Sequence, residues 1–308
     1  MWMLPNQMKD FSQSLVAVSL FASNVLFWRE SGYFDAAAEE KPLLHTWSLA
    51  VEEQYYVLFP IFLFLAWRLG KNRVFWMIVA FAAISLVLSE WGWRNKATGN
   101  FYLAPTRAWE LFSGSIAAFI IQKRGVQNNN TLSLFGLALV LVAFVIYDEA
   151  TPFPSFYTLL PIVGVVLLVL FAGRDTFVAK LLGTKAFVGI GLISYSAYLW
   201  HQPLFAFARI RLLETSPALM GFLSLLSLLL AFFSWKYIEN YFRRKDASQY
   251  LVLTLSAVGL ITFIVLGFLQ IRYDNRDFEG LDLAWSRTKS CSYPTQGYAN
   301  VSCDERKP

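Results

Sequence analysis

The chain has two histidines, and each stands in a block of hydroxyls at the edge of an apolar stretch. The first block runs from Leu43 to Pro60 and reads LLHTWSLAVEEQYYVLFP. His45, Thr46, Trp47 and Ser48 lead into an apolar run that carries Glu52, Glu53, Gln54, Tyr55 and Tyr56. A charged side chain such as a carboxylate inside an apolar span costs about 2.5–3.5 kcal/mol on insertion scales. A histidine beside a desolvated carboxylate can act as a general-base pair, because burial and the neighbouring charge move both proton affinities. Adjacent residues on a helix point about 100° apart, so only one of Glu52 and Glu53 is expected to face a given cavity. Helix capping by Thr46 or Ser48, with early carboxylates favoured by the helix dipole, is the structural alternative.

Three further blocks carry polar residues at helical spacing. In TRAWELFSGSIAA, from Thr106, Arg107 and Glu110 are three apart and share a face. They form either a substrate clamp or a structural ion pair, with Gly114 permitting close helix approach. In GLISYSAYLWHQPLF, from Gly191, Tyr195, Tyr198 and His201 follow at intervals of three. Ser194 lies seven before His201, on nearly the same face. This stripe is either catalytic or a set of interhelical hydrogen bonds beside a kink at Pro203. In WKYIENYFRRK, from Trp235, Glu239 precedes Arg243 and Arg244. Such a run either sets membrane topology or holds an anionic donor.

The elements that must position these residues follow from composition. Of the 308 residues, 56% are hydrophobic, 17% aromatic and 15% charged, against about 25% charged in soluble domains. The apolar residues fall in blocks of about twenty, the length of a membrane crossing. The expected fold is all-α and polytopic, with about nine transmembrane helices near residues 11–29, 49–67, 74–92, 105–122, 132–148, 156–173, 187–208, 217–236 and 250–270. Basic residues cluster after the even-numbered spans: Arg68, Lys71 and Arg73; Lys123 and Arg124; Arg174, Lys180 and Lys185; Arg243 and Arg244. Arg94, Lys96, Arg209 and Arg211 break the pattern. The positive-inside rule then places the chain start in the cytoplasm and the tail from Arg272 outside. Trp28, Trp47, Trp91 and Trp109 fall near span ends, where aromatics commonly sit at headgroup depth.

The net charge of +5 is thus a matter of loops, and no aromatic-interleaved basic patch points to nucleic acid. Cys291 and Cys303 both lie in the tail, where an oxidising space would favour a disulfide. Neither zinc-ligand spacing nor GxSxG, HExxH or Walker A appears, so no bound metal or cofactor is expected. On the inferred topology His45, Glu52, Arg107, Glu110, Tyr198 and His201 converge in the outer half of the membrane. One polar cavity opening outward would collect them.

The four blocks together resemble the acyltransferase 3 family of membrane O-acyltransferases, over about residues 20 to 270. HTWSLAVEEQYY, the Arg107-Glu110-Gly114 block, SYSxYLxHxP and a Tyr-x-x-Glu stretch before arginines carry the likeness, though Asn240 stands where the family often has Pro. The resemblance implies acyl-coenzyme A as donor and a hydroxyl of a cell-envelope glycan, such as lipopolysaccharide O-antigen, as acceptor. Neither His45 nor His201 occupies the position of the histidine regarded as essential in the family, so the catalytic roles expected for His45, Glu52 and His201 rest on the residues themselves. Acceptor binding would fall to Glu53, Arg107, Glu110, Ser194, Tyr195 and Tyr198, and donor binding to Glu239, Arg243 and Arg244. A bacterial inner-membrane protein is implied, with residues 1–271 forming the transmembrane domain and 272–308 an extracytoplasmic linker toward an SGNH-type domain. Two opening spans of the family, with an Arg-rich motif and a histidine, have no match here, so the chain reads as an internal piece. A transporter or flippase of a lipid-linked glycan would also use buried carboxylates and histidines, and a piece lacking those spans could be an inactive remnant.

Overall fold

The structure, a computed structural model, describes residues 5–288 apart from 32–37, 149, 213–215 and 244–247. The described residues are helical, with no named strand among them. The helices are α1 (Pro5–Ser19), α2 (Ser23–Glu30), α3 (Thr46–Ala66), α4 (Lys71–Asn95), α5 (Ala97–Tyr102), α6 (Ala104–Arg124), α7 (Asn130–Ile146), α8 (Leu159–Phe171), α9 (Phe177–Leu182), α10 (Lys185–Arg211), α11 (Pro217–Phe233), α12 (Asn240–Phe242) and α13 (Gln249–Thr288). A π-helical segment, Ser234–Glu239, joins α11 to α12.

Among the described residues four stretches are long and apolar enough to cross a membrane: Thr46–Leu69, Lys71–Asn95, Pro217–Phe242 and Gln249–Tyr273. Two shorter apolar helices, Asn130–Ile146 and Phe156–Phe171, accompany them. The helices α6 and α10 carry the polar blocks and have 21 and 27 residues. At 1.5 Å per residue they extend roughly 30 and 40 Å, so they too can cross. Their polar content lowers their hydropathy, not their reach. The whole is an all-α membrane protein, as the apolar blocks require.

The first expected span, 11–29, is not one helix. It breaks between α1 and α2 in a Schellman turn: Ala22 N–H donates to Ala17 O at 2.8 Å and Phe21 N–H to Val18 O at 3.1 Å. Phe21 takes the left-handed position with φ 54°, a place usually held by glycine. The turn is anchored from α3, because the Gln54 side chain donates to Phe21 O at 2.8 Å and to Asn24 Oδ1 at 2.9 Å.

Packing joins neighbours in sequence, α4 with α6, α7 with α8 and α10 with α11, and also the chain's two ends, α1 with α13. The centre is where α3, α4 and α6 meet. Ala66, Val74 and Ile78 are buried there among Phe59, Phe62, Leu63, Met77, Phe112, Ile116 and Phe119. Two glycines bring α7 and α8 together: a Cβ on Gly136 would lie 2.8 Å from Gly164 O, and one on Gly164 would lie 2.8 Å from Gly136 O. Gly114, expected to serve such a contact, has nothing within 4 Å of its Cβ position. Trp109 also departs from expectation. It is 2% exposed and packs inside the bundle, whereas Trp28 and Trp91 are exposed as belt residues would be.

Candidate functional site

The start of α3 and the middle of α10 bring the two histidines together. Their rings lie 5.5 Å apart edge to face, and each is also within ring contact of Tyr198, at 5.0 Å from His45 and 5.6 Å from His201. The Tyr198 hydroxyl donates to the His45 carbonyl. That uses its one proton, so Ser48 Oγ, 2.7 Å away, donates to Tyr198 Oη. These bonds tie α10 to the first turn of α3.

The capping alternative for this stretch does not hold. His45 itself occupies the N-cap position, no side chain caps the helix, and no acidic residue lies in its first turn. Thr46 Oγ1 instead donates to Leu43 O at 2.7 Å and lies 3.3 Å from Ser23 Oγ.

The two imidazoles are held differently. His201 Nδ1 sits 2.7 Å from the Tyr198 carbonyl. A carbonyl only accepts, so Nδ1 carries the proton and Nε2 presents a lone pair in the neutral ring. The spacing of three that puts both residues on one helix face also sets this tautomer. Among the described residues His45 has no hydrogen-bond partner at either ring nitrogen, and both atoms are buried. It stands one residue before the membrane-crossing stretch. Burial, and then the charge of His201, push its pKa down to about 4. The neutral ring is therefore the form present at ordinary pH.

His45 lines a cavity of about 400 Å³, and His201 stands behind it, in ring contact with His45 but outside the lining. His45, Glu53 and Tyr195 supply its polar wall, and Leu15, Val18, Leu260 and Phe263, from the terminal helices, supply apolar wall. Of the adjacent glutamates, Glu53 lines the space. Glu52 is not in the lining, and its charge reaches Tyr195 and Tyr198 on α10. As expected for adjacent glutamates, one of the two lines this cavity.

Below the cavity the polar residues continue along α10. Tyr195 stands within electrostatic reach of Glu53, Glu239, Glu52 and Arg243. Ser196 is buried and donates to Glu239 Oε2 at 3.0 Å. Arg243 NH2 lies 2.7 Å from the other carboxylate oxygen, an ion pair whose angle does not make a hydrogen bond. Direct contacts thus join Arg243, Glu239 and Ser196, and the exposed Tyr195 with the Glu52–Glu53 pair follows at electrostatic range, so polar side chains are spread as a file from Arg243 toward Tyr198 and the histidines. Ser196 was not among the expected site residues. Its neighbour Ser194 was, yet Ser194 is exposed and its hydroxyl turns back to Gly191 O at 2.8 Å.

Arg107 and Glu110 form a separate group on α6. Arg107 NH1 and Glu110 Oε2 are 3.4 Å apart, and Arg107 Nε donates to Phe101 O at 2.8 Å. The guanidinium lies over Trp47 at 4.6 Å, Phe101 at 5.0 Å and Phe153 at 5.4 Å. This aromatic enclosure explains why Trp47 turns inward rather than joining a headgroup belt. Glu110 Oε1 is buried without a partner. The pair meets α3 through Trp47, and its contacts do not extend to His45 or His201. Arg244, Cys291 and Cys303 lie outside the described residues.

Among the described residues no group of three or more His, Cys, Asp or Glu side chains could hold a metal ion. The arrangement offers two imidazoles in ring contact, one of them at the wall of a cavity that also holds a half-buried carboxylate, Glu53, and has room for a small acyl group and a hydroxyl. The acyltransferase domain of the acyltransferase 3 family matches residues 10–236. The chain belongs to that family. All the site residues described here except Glu239 and Arg243 fall within the match. Among curated acyltransferase relatives, the O-acetyltransferase OatA of Staphylococcus aureus strain NCTC 8325 is 27% identical over 259 residues, covering 78% of this chain and 43% of its own. OatA of strain COL gives the same figures, 27% identity over 259 residues. SAR0937 of strain MRSA252, provisionally named an O-acetyltransferase, is 26% identical over 278 residues, covering 82% of this chain and 45% of its own. The chain thus spans less than half the length of these relatives. No solved structure matches it.

Proposed function

We propose that this acyltransferase 3 chain forms the membrane part of an O-acetyltransferase that takes acetyl from acetyl-coenzyme A and delivers it to a hydroxyl of a cell-envelope glycan, lipopolysaccharide O-antigen among the candidates. The single observation that carries the reading is the His45–Tyr198–His201 ring cluster, whose His45 lines the 400 Å³ cavity together with Glu53. His201 Nε2, or neutral His45, removes the proton of the acceptor hydroxyl. The oxygen attacks the thioester carbonyl, the new ester C–O bond forms, and the C–S bond breaks. The leaving thiolate takes up the proton. A positioned base of this kind contributes typically 10²–10⁴-fold.

The polar file along α10 supports a division of labour. Arg243, beside Glu239, and Arg244 would meet the phosphates of the donor at a cytoplasmic face of the inner membrane, and the histidines would meet the glycan toward the other face. Arg107 and Glu110 would then brace the start of α3 through Trp47. In this reading the tail beyond residue 272, with Cys291 and Cys303, is extracytoplasmic.

The test is ester-linked acetate on envelope glycan, released by mild base, in an acetylation-null bacterium expressing the protein in its genomic reading frame. Acetate should appear with the unaltered protein and fall at least 100-fold with His201→Ala or His45→Ala at equal membrane levels. Full acetylation by both variants would overturn the base assignment, and proton-coupled glycan movement without ester formation would favour the flippase.

A further inference from the structure

A second cavity lies at the opposite end of the α4–α6 pair from Arg107. It has a volume of about 600 Å³ and is lined by Lys71, Asn72, Phe75, Phe119, Ile120, Lys123 and Arg124. Its rim is cationic and its floor is apolar. Lys71 and Asn72 open α4, while Lys123 and Arg124 close α6, so the charges fall at helix ends. One turn deeper, the Phe75 and Phe119 rings meet at 6.0 Å. No acidic residue lines the space, and none of the three cations has an ion-pair or hydrogen-bond partner among the described residues.

Helix electrostatics explain only part of this. Lys123 and Arg124 suit the negative end of α6, but Lys71 sits at the positive end of α4, where a cation is disfavoured. A general excess of basic residues in a membrane-flanking loop would account for the charge. It would not account for three charges converging on one cavity with an aromatic floor. A ligand with an anionic phosphate at headgroup depth and hydrocarbon behind it fits both halves. Basic pockets between transmembrane helices take anionic lipid headgroups in this way.

We infer that this cavity is a binding site for an anionic phospholipid, with the phosphate held by Lys71, Lys123 and Arg124 and the first carbons of a chain laid against Phe75, Phe119 and Ile120. The site is distinct from the histidine cavity and from the donor end at Arg243. A bound lipid would clamp the cytoplasm-facing ends of α4 and α6, the two helices that meet α3 in the central core.

The probe is the purified protein in nanodiscs of phosphatidylcholine alone or with phosphatidylglycerol. Native mass spectrometry counts retained lipid, and thermal unfolding reports its effect. Phosphatidylglycerol should be retained and raise the unfolding temperature. Each cation near an anionic surface contributes about fivefold in affinity, so Lys71→Gln, Lys123→Gln and Arg124→Gln together should weaken retention roughly 100-fold. Arg174→Gln, Lys180→Gln and Lys185→Gln, the same change of charge around α9, should leave it unaltered. Equal retention by the two triple variants, or equal retention of the two lipids, would overturn the site. Displacement of phosphatidylglycerol by coenzyme A at micromolar concentration would also overturn the lipid assignment, because the cavity would then take a soluble phosphate donor.

Discussion

At the scale of single residues, the histidine pair makes a prediction about pH. His45 has its pKa lowered from 6.5 to about 4, by burial first and the His201 charge second. The unfolded chain therefore binds a proton that the folded chain refuses between those values. The contribution to stability is complete above about 6.5 and is lost as pH falls toward 4. Thermal unfolding of the purified protein should drop in temperature across that window, and His45→Gln, which cannot titrate, should flatten the slope. Equal slopes in both proteins would show that His45 is not the buried neutral group described here. Part of this site was legible in sequence. The interval of three between Tyr198 and His201 places both on one face and sets the His201 tautomer through a backbone carbonyl. Ser48 and Ser196 were not legible as site residues. Their partners, Tyr198 and Glu239, are 150 and 43 residues away, and no local pattern encodes such pairs.

At the scale of elements, glycine separates what spacing suggests from what packing decides. Gly114 sits in a polar block and invited a close-contact reading, yet its Cβ direction is open. Gly136 and Gly164 sit in unremarked apolar runs and hold α7 and α8 in backbone contact. Without a hydrophobic driving force between helices in lipid, such small-residue contacts carry much of their association. Gly136→Ala or Gly164→Ala must therefore push the helices apart, at about 1–3 kcal/mol in the usual range for overpacking. Gly114→Ala should be neutral or slightly stabilising, since alanine favours helix. Detergent unfolding curves for the three variants check this, and a destabilised Gly114→Ala with unaffected Gly136→Ala would reverse the assignment. The break after α1 was hidden for a related reason. A Schellman turn usually announces itself with glycine, and here Phe21 holds the left-handed position under a hydrogen bond from Gln54 of another helix.

At the scale of the whole molecule, the polar file has a direction only if the bundle has one. The basic residues after α3, α6, α8 and the α11–α12 segment mark one end, and His45 with His201 lie toward the other. If the positive-inside rule governs, the loop between α6 and α7 is cytoplasmic and the loop between α7 and α8 is outside. Gln127 and Asp148 stand in those loops and are both exposed, so each can report its side. In a protein with Cys291→Ser and Cys303→Ser, a membrane-impermeant maleimide applied to intact spheroplasts should label Asp148→Cys and spare Gln127→Cys. Permeabilisation should then expose Gln127→Cys. The opposite pattern would invert the bundle, and the inversion would matter chemically. Arg243 and the Lys71–Lys123–Arg124 cavity would face a space without acetyl-coenzyme A, while the histidines would face the cytoplasm. A transfer outward through the file from Arg243 to His45 would then be impossible, whereas family membership and the helical fold would stand unchanged. The label therefore tests the proposed route of the acetyl group separately from the chemistry proposed to move it.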